Sequence, residues 1–288
     1  MINYNFAVFI LTHGRPDRVR TYKTLRNCGY TGKIYLLIDD QDKTIDEYRK
    51  LYKEEEIIVF SKEKAFDITP KLTNMKIMKA IVYARNYNFV IAENLKLDYF
   101  WQLDDDYKRI EYSSNDQNQY QTKNNVVKNL DNVLNVMIKF LIKSKVKTIA
   151  MAQSGDFIGG TKGTMGRLIG KNQFSRKAMN SFICSTKNQF KFIGEINEDV
   201  NSYTKLGNLG DLFITTPKLR IKQETTQQNG SGLTNTYKKL GTYVKSFFSV
   251  MLNPSSIKIN QMGELRRLHH AVHWKTTVPE IISDSFKK

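Results

Sequence analysis

Short, continuous apolar runs alternate with amphipathic stretches through the first half of the chain. Phe6 to Leu11 is apolar throughout and strand-length, and it ends in Thr12-His13-Gly14-Arg15-Pro16. Asp17 is placed to cap a helix running to about Asn27, with Gly29 where a helix C-cap falls. Ile34 to Ile38 predicts a second buried strand, closed by Asp39-Asp40-Gln41-Asp42. Thr44-Ile45-Asp46-Glu47 has capping-box spacing and opens a short helix, and Ile57 to Phe60 reads as a third strand. A polar connection leads to a long amphipathic helix from about Lys76 to Leu95, with Ile77, Ile81, Ala84, Ile91 and Leu95 along one stripe. Next comes Tyr99-Phe100-Trp101-Gln102-Leu103, an apolar strand that runs into Asp104, Asp105 and Asp106. Continuous apolar strands alternating with helices predict a mostly parallel sheet covered on both faces. Ligands of such sheets sit outside the carboxyl ends of the strands. By that rule Arg15, Asp39 and Asp104 to Asp106 belong to one crevice.

The pattern loosens afterwards. Ser113 to Asn125 is rich in Asn and Gln and nearly devoid of aliphatic residues, so it predicts an exposed or mobile loop. A helix is expected from about Leu130 to Ser144, then a strand over Thr148 to Ala152. Six glycines between Gly155 and Gly170 predict a pliant loop beside the site. Asn180 to Cys184, Phe213 to Thr216 and Leu219 to Lys222 read as short strands, and Tyr243 to Leu252 as a helix. Neither a repeat nor a domain linker is visible, and one domain over residues 1–288 is the simpler expectation.

Composition narrows the class. With 288 residues and 40% hydrophobic content, the chain can bury a large α/β core. Its two cysteines, Cys28 and Cys184, form neither a disulfide framework nor a metal-ligand spacing, which points to a reducing cytoplasm. No apolar run approaches the roughly 20 residues of a membrane span, and no signal-peptide pattern opens the chain, so a protein without a membrane partner is expected. Forty-five Lys and Arg against 28 Asp and Glu give a net charge of +17. That excess favours a polyanionic partner, although a Lys- and Asn-rich proteome would produce it too.

Two acidic motifs carry the candidate chemistry. Carboxylates delivered side by side at a strand end need a cation between them, or one must take up a proton. Mg²⁺ and Mn²⁺ suit such an all-oxygen setting and leave coordination positions for substrate phosphates. The competing reading of the triple Asp is a solvated turn. Asn197-Glu198-Asp199 follows an apolar run and precedes a helix, where it is either a plain N-cap or a positioned base that takes a hydroxyl proton. Arg85, on the flank of the long helix, is either a donor to a diphosphate or a solvated helix residue. Among His269, His270 and His273, one could complete the shell of a metal held by Asp106, the alternative being a surface cluster; His13 more simply shapes the first loop.

Several segments together resemble the phage-associated TET-associated glycosyltransferase family, nucleotide-sugar enzymes of the GT-A type. They are Phe6 to Asp17, Ala84-Arg85-Asn86, Gln102 to Tyr107, Gly155 to Gly160, Arg176 to Ser181, Ile196 to Asn201 and Gly241 to Ser246, in order through nearly the whole chain. The resemblance implies an α/β GT-A (Rossmann-like) fold, with a mostly parallel central sheet flanked by helices and a C-terminal acceptor-side elaboration. Residues 1–110 would bind the nucleotide-sugar and 111–288 the acceptor. It further implies a UDP-sugar donor, UDP-glucose first, and Mn²⁺ or Mg²⁺ as cofactor. Thr12, Arg15, Asp39, Arg85, Asp104 and Asp105 would serve the donor. Asp106 would be the main metal ligand, with Asp104 on the ribose or the metal; of the three C-terminal histidines, His270 is the candidate to join them. Asp199, with Glu198 next to it, would be the acceptor base of an inverting transfer. The acceptor implied is the hydroxymethyl group of 5-hydroxymethylcytosine in double-stranded DNA, in the cytoplasm of an infected host. Two other readings stay open: transfer to a protein or cell-surface polysaccharide, and a nucleic-acid-binding protein or metal-dependent nuclease.

Overall fold

The computed structural model describes residues 3–71, 77, 80–121, 125–224, 234–262 and 266–277. The first half runs β1 (Phe6–Leu11), α1 (Arg20–Asn27), β2 (Lys33–Asp39), α2 (Ile45–Leu51), β3 (Ile57–Phe60), α3 (Lys62–Asp67), α4 (Val82–Asn94) and β4 (Tyr99–Asp104). It continues through β5 (Tyr107–Tyr112), α5 (Leu130–Ser144), β6 (Thr148–Gln153), α6 (Thr164–Gly170), β7 (Ser181–Ser185), α7 (Glu198–Asn208) and β8 (Phe213–Gln223). The last elements are α8 (Thr234–Leu252), β9 (Ile257–Met262), β10 (Arg267–Val272) and α9 (Trp274–Thr277).

Eight strands form one sheet in the order β3-β2-β1-β4-β7-β6-β8-β5. The first four are mutually parallel. β7 lies antiparallel between β4 and β6, β8 is parallel to β6, and β5 closes the edge antiparallel to β8. This is the flanked, mostly parallel α/β sheet expected of a GT-A protein. Reversal of β7 between β4 and β6 makes those two run the same way, so the ends of β1, β4, β6 and β8 share one side of the sheet. One face packs against α1 and α5 through a core containing Trp101, Leu103, Leu134 and Ile138. The other is covered by α4 and α7, with Phe9, Phe89, Phe100 and Phe192 at its centre.

Several expected boundaries move, each for a local reason. α4 begins at Val82; Ile77 and Ile81 pack on the same core, but Ile77 lies before the helix, its carbonyl accepting from Ala80 N–H. Apolar spacing reports burial, and a non-helical segment can satisfy it as well as a helix; residues 72–76, 78 and 79 lie outside the described residues. The polar connection before it contains α3, capped by the Ser61 hydroxyl accepting from Lys64 N–H. Asp17 and Thr44 do not cap: the first lies in a 3-10 turn, and the Thr44 hydroxyl donates to Asp42 at 2.7 Å instead. β5 escaped the apolar pattern because Glu111, fully buried, occupies a core-facing place and is neutralised by Arg220 (2.8 Å) and Lys222 (3.1 Å). The two short strands expected around Pro217 are one strand, β8. Its pairing with β6 jumps from Thr216 to Arg220, across a proline that has no N–H to donate.

Two segments read as loose are built. The Asn/Gln-rich stretch is pinned where described, with Ser113 N–H donating to Lys218 carbonyl and Gln121 N–H to Ser113 carbonyl, both at 2.8 Å. The glycine-rich stretch folds as two 3-10 turns followed by α6, around a small core of Ala152, Phe157, Met165 and Ile169.

Candidate active site

β1 and β4 pair in register up to Leu11 opposite Asp104, so the loop after β1 and the triple Asp leave the sheet together. The three carboxylates then diverge. Asp105 turns inward and is buried. It accepts from the Thr12 hydroxyl at 2.7 Å and pairs with the Arg15 guanidinium at 2.9 Å. Burial pushes its carboxyl up to about 6 despite Arg15. Thr12 also shares a 2.8 Å hydrogen bond with the Tyr48 hydroxyl, which accepts from Arg15 N–H at 3.0 Å. The Thr12 side chain is therefore spent inside the protein, fastening the first loop to the acidic motif. Arg15 Nε is buried with no hydrogen-bond partner, a donor left over on that loop.

Asp39 ends β2 beside the same loop. It is held by His13 Nδ1 at 2.6 Å and Lys62 Nζ at 3.1 Å. Burial alone would raise its carboxyl, but these two partners outweigh it and keep it below the usual value. Asp42 anchors the loop from the other side, accepting from Gly14 N–H at 2.7 Å. Arg15, Asp39 and the triple Asp thus lie at the carboxyl ends of neighbouring parallel strands, on one side of the sheet.

Asp104 and Asp106 face different neighbours. Asp104 lies 3.0 Å from a terminal nitrogen of Arg85, yet burial outweighs Arg85 and Arg15 and raises its carboxyl. Asp106 accepts from the Gln223 amide through one oxygen at 3.0 Å, while Oδ1 is buried without a partner. Burial, and after it the charge of Asp104, pushes its carboxyl up to about 7. An unpartnered carboxylate oxygen beside a second carboxylate is a donor set that a divalent cation would fit.

Arg85 is not the solvated helix residue weighed from the sequence. It is 1% exposed, packed over the Phe182 ring at 4.9 Å, and its Nε donates to Glu198 at 3.0 Å. One guanidinium thus joins the strand-end carboxylates to those at the start of α7, while its other terminal nitrogen has no partner. Asn197, in the left-handed region at φ 55°, turns the chain into α7; its amide donates to Lys245 carbonyl at 2.7 Å and Ser249 hydroxyl at 3.0 Å. Glu198 and Asp199 follow as the first two helical residues, both buried. Burial and then Asp199 push the Glu198 carboxyl up to about 7; burial also raises Asp199, which accepts from Val200 N–H at 2.8 Å. Glu198, and not Asp199, carries the ion pair with Arg85.

His270 lies on β10, stacked on His269 with ring centroids 4.3 Å apart, and its Nδ1 is buried without a hydrogen-bond partner. Burial lowers it to about 4. Among the described residues no three His, Cys, Asp or Glu side chains gather in a metal-ready cluster, so His270 is not brought together with Asp104 and Asp106 as a set. His273 shares a hydrogen bond with Thr276 at the start of α9. Gln223, Lys62 and Tyr48 carry no signal in the sequence. Gln223 reaches Asp106 from 117 positions away, a proximity no local pattern encodes.

A family model described as TET-Associated Glycosyltransferase matches residues 6–232. These are sugar-transferring enzymes by description, and the match spans most of the chain. The chain belongs to the TET-associated glycosyltransferase family. No curated protein matches it at a significant level. Solved structures similar to it include S. aureus TarS 1-349, at 13% identity and TM-score 0.43, over 76% of this chain and 60% of that one. Another is glucosyl-3-phosphoglycerate synthase from Mycobacterium tuberculosis in complex with Mg²⁺ and uridine-diphosphate, at 9% identity and TM-score 0.43, covering 97% and 89%. A third is the mannosyltransferase PcManGT from Pyrobaculum calidifontis in complex with GDP-Man and Mn²⁺, at 10% identity and TM-score 0.45, covering 78% and 58%. The chain thus spans less than two thirds of the TarS and PcManGT chains. No helix among the described residues is long and apolar enough to cross a membrane.

Proposed function

We propose that the chain transfers a sugar from a UDP-sugar to the hydroxymethyl group of 5-hydroxymethylcytosine in DNA, with inversion at the anomeric carbon. The observation that carries the reading is the joined pair of acidic sites. Asp106 has an unpartnered buried oxygen beside Asp104, and Arg85 ties Asp104 to Glu198 next to Asp199. A divalent Mn²⁺ or Mg²⁺ fits Asp106 and Asp104, whose raised carboxyls a cation would restore to the ionised form. Such an ion supplies Lewis-acid stabilisation of a departing diphosphate.

The chain's own residues do the rest. Arg15 offers its spare Nε–H to the diphosphate, and Asp39 offers an acceptor to the uracil edge. Asp199 takes the proton of the acceptor hydroxyl as that oxygen bonds to the anomeric carbon and the bond from carbon to the diphosphate oxygen breaks. Glu198, fixed by Arg85, positions the start of α7. The family and the +17 net charge support a DNA acceptor, because a polyphosphate draws its affinity from such an excess. The single sheet shared by both halves supports one domain over residues 1–288, with 1–110 on the donor side and 111–288 on the acceptor side. UDP-glucose is the first donor to test, and a phage-infected cytoplasm is the proposed setting. Incubation with a labelled UDP-sugar, Mn²⁺, and hydroxymethylated or plain duplex of one sequence should label only the modified duplex. Label on protein or polysaccharide with none on modified DNA overturns the acceptor.

A further inference from the structure

Resting on the DNA-acceptor reading, we infer that the glycine-rich turn after β6 is a wedge, whose tip residue Ile158 enters the base stack of duplex DNA and keeps the target nucleotide extruded. Ile158 is 74% exposed, the most exposed large apolar side chain among the described residues. Its neighbour Phe157 is buried, stacked on Tyr120 at 5.1 Å and packed with Ala152, Met165 and Ile169. The tip is therefore an apolar side chain pushed outward from an anchored base.

The turn is compressed to hold it there. Gly159 and Gly160 sit at φ 87° and 55°, in the left-handed region open to glycine. A Cβ on Gly163 would overlap the Ile158 carbonyl, and one on Gly166 would overlap the Gly160 carbonyl. Gly163 N–H donates to the carbonyls of Gly159 and Gly160 at 3.1 Å each, and Arg167 N–H to Gly163 carbonyl at 3.1 Å. The glycines make a tight pedestal, and its tip is preorganised.

Charge and placement fit a duplex. Lys162, Arg167, Lys171 and Arg176, which follow the tip in the chain, are all exposed, and Asp156, the one acid between residues 154 and 180, is paired with Lys177. An excess of exposed cations near an apolar insertion suits the phosphates that flank it. The turn also shares its scaffold with the carboxylates. Ser154 hydroxyl donates to Ile221 carbonyl at 3.2 Å, two residues before the Gln223 that holds Asp106. From Lys177 the chain runs to Asn180, whose side chain meets Arg85 at 3.5 Å and whose carbonyl accepts from Tyr107 hydroxyl. A hydroxymethyl group on a stacked base must reach buried carboxylates, and enzymes acting on bases meet that need by extrusion.

The test uses one oligonucleotide carrying a single 5-hydroxymethylcytosine beside 2-aminopurine, as a single strand and as a duplex. Wild type should raise 2-aminopurine fluorescence in the duplex and transfer sugar to both forms. Ile158→Ala should abolish the rise and lower the duplex-to-single-strand turnover ratio by about tenfold or more, an unstacking cost that falls on the duplex alone. Ile158→Leu should restore both. An unchanged ratio and fluorescence in Ile158→Ala, or wild-type transfer confined to single strands, overturns the wedge and leaves the acceptor standing. Absence of wild-type transfer to either form overturns the acceptor reading and the wedge with it.

Discussion

Replacing Arg85 by Met should reveal how strongly one guanidinium holds two acidic sites together. Methionine keeps most of the stem packed over Phe182 but removes the charge that lies 3.0 Å from both Asp104 and Glu198. Breaking a buried ion pair from one side costs about 3–5 kcal/mol, because the stranded charge has no solvent to receive it. The cost should depend on pH, since a stranded carboxylate can escape by taking up a proton. Glu198 stands near 7 in the folded protein against 4.5 for an unperturbed glutamate. A folded value raised in this way means the wild type loses stability from Glu198 as pH rises from about 4.5 to about 7, and none beyond. Without Arg85 the folded value moves higher still, so the variant keeps losing up to about 1.4 kcal/mol per pH unit above 7. Asp104, raised by burial, adds a change of the same sign. Urea unfolding with chelator present should give a deficit of about 3–5 kcal/mol at pH 8.5, shrinking to about 1–2 kcal/mol at pH 6 as Glu198 protonates. Arg85→Lys should not rescue it, because an ammonium cannot present two divergent donors in a fixed plane. A deficit independent of pH, or below about 1 kcal/mol at pH 8.5, would refute the assignment of Arg85 as the shared counter-ion.

Asp106→Ala should abolish transfer and Mn²⁺-dependent UDP binding, read by titration calorimetry; retention of both contradicts the cation site. Asp199→Asn should keep donor binding near wild type while slowing transfer by about 10²–10⁴, the usual worth of a positioned base. Unchanged single-turnover rates would remove it from that role. Gly166→Ala should destabilise the protein by about 1–3 kcal/mol, because its Cβ meets the Gly160 backbone. Gly155→Ala, with nothing within 4 Å of the added carbon, is the matched control in thermal melts, and equal losses in the two would show that the turn is not compressed.

What the sequence determined by itself was whatever depends on uninterrupted burial. Phe6–Leu11 and Leu130–Ser144 were legible to the residue, and the strand into Asp104 nearly so, because a fully buried strand or a strongly striped helix leaves a run that few alternatives satisfy; Ile57–Phe60 was legible as an apolar run although only Phe60 of it is buried. The rule that ligands gather at the carboxyl ends of parallel strands was then enough to collect Arg15, Asp39 and the triple Asp. Tertiary structure decided which carboxylate does what. Asp104, Asp105 and Asp106 are chemically identical neighbours, and only packing turned Asp105 inward to Thr12 and Arg15 while leaving an oxygen of Asp106 without a partner. The same is true of Arg85, whose pairing with Glu198 crosses 113 positions. β5 stayed hidden because buried Glu111 reads as surface until Arg220 and Lys222 arrive from another strand. Local pattern encodes how much of a segment must leave water; long-range contacts set the partner and charge state of each buried polar group, and these had to await the fold.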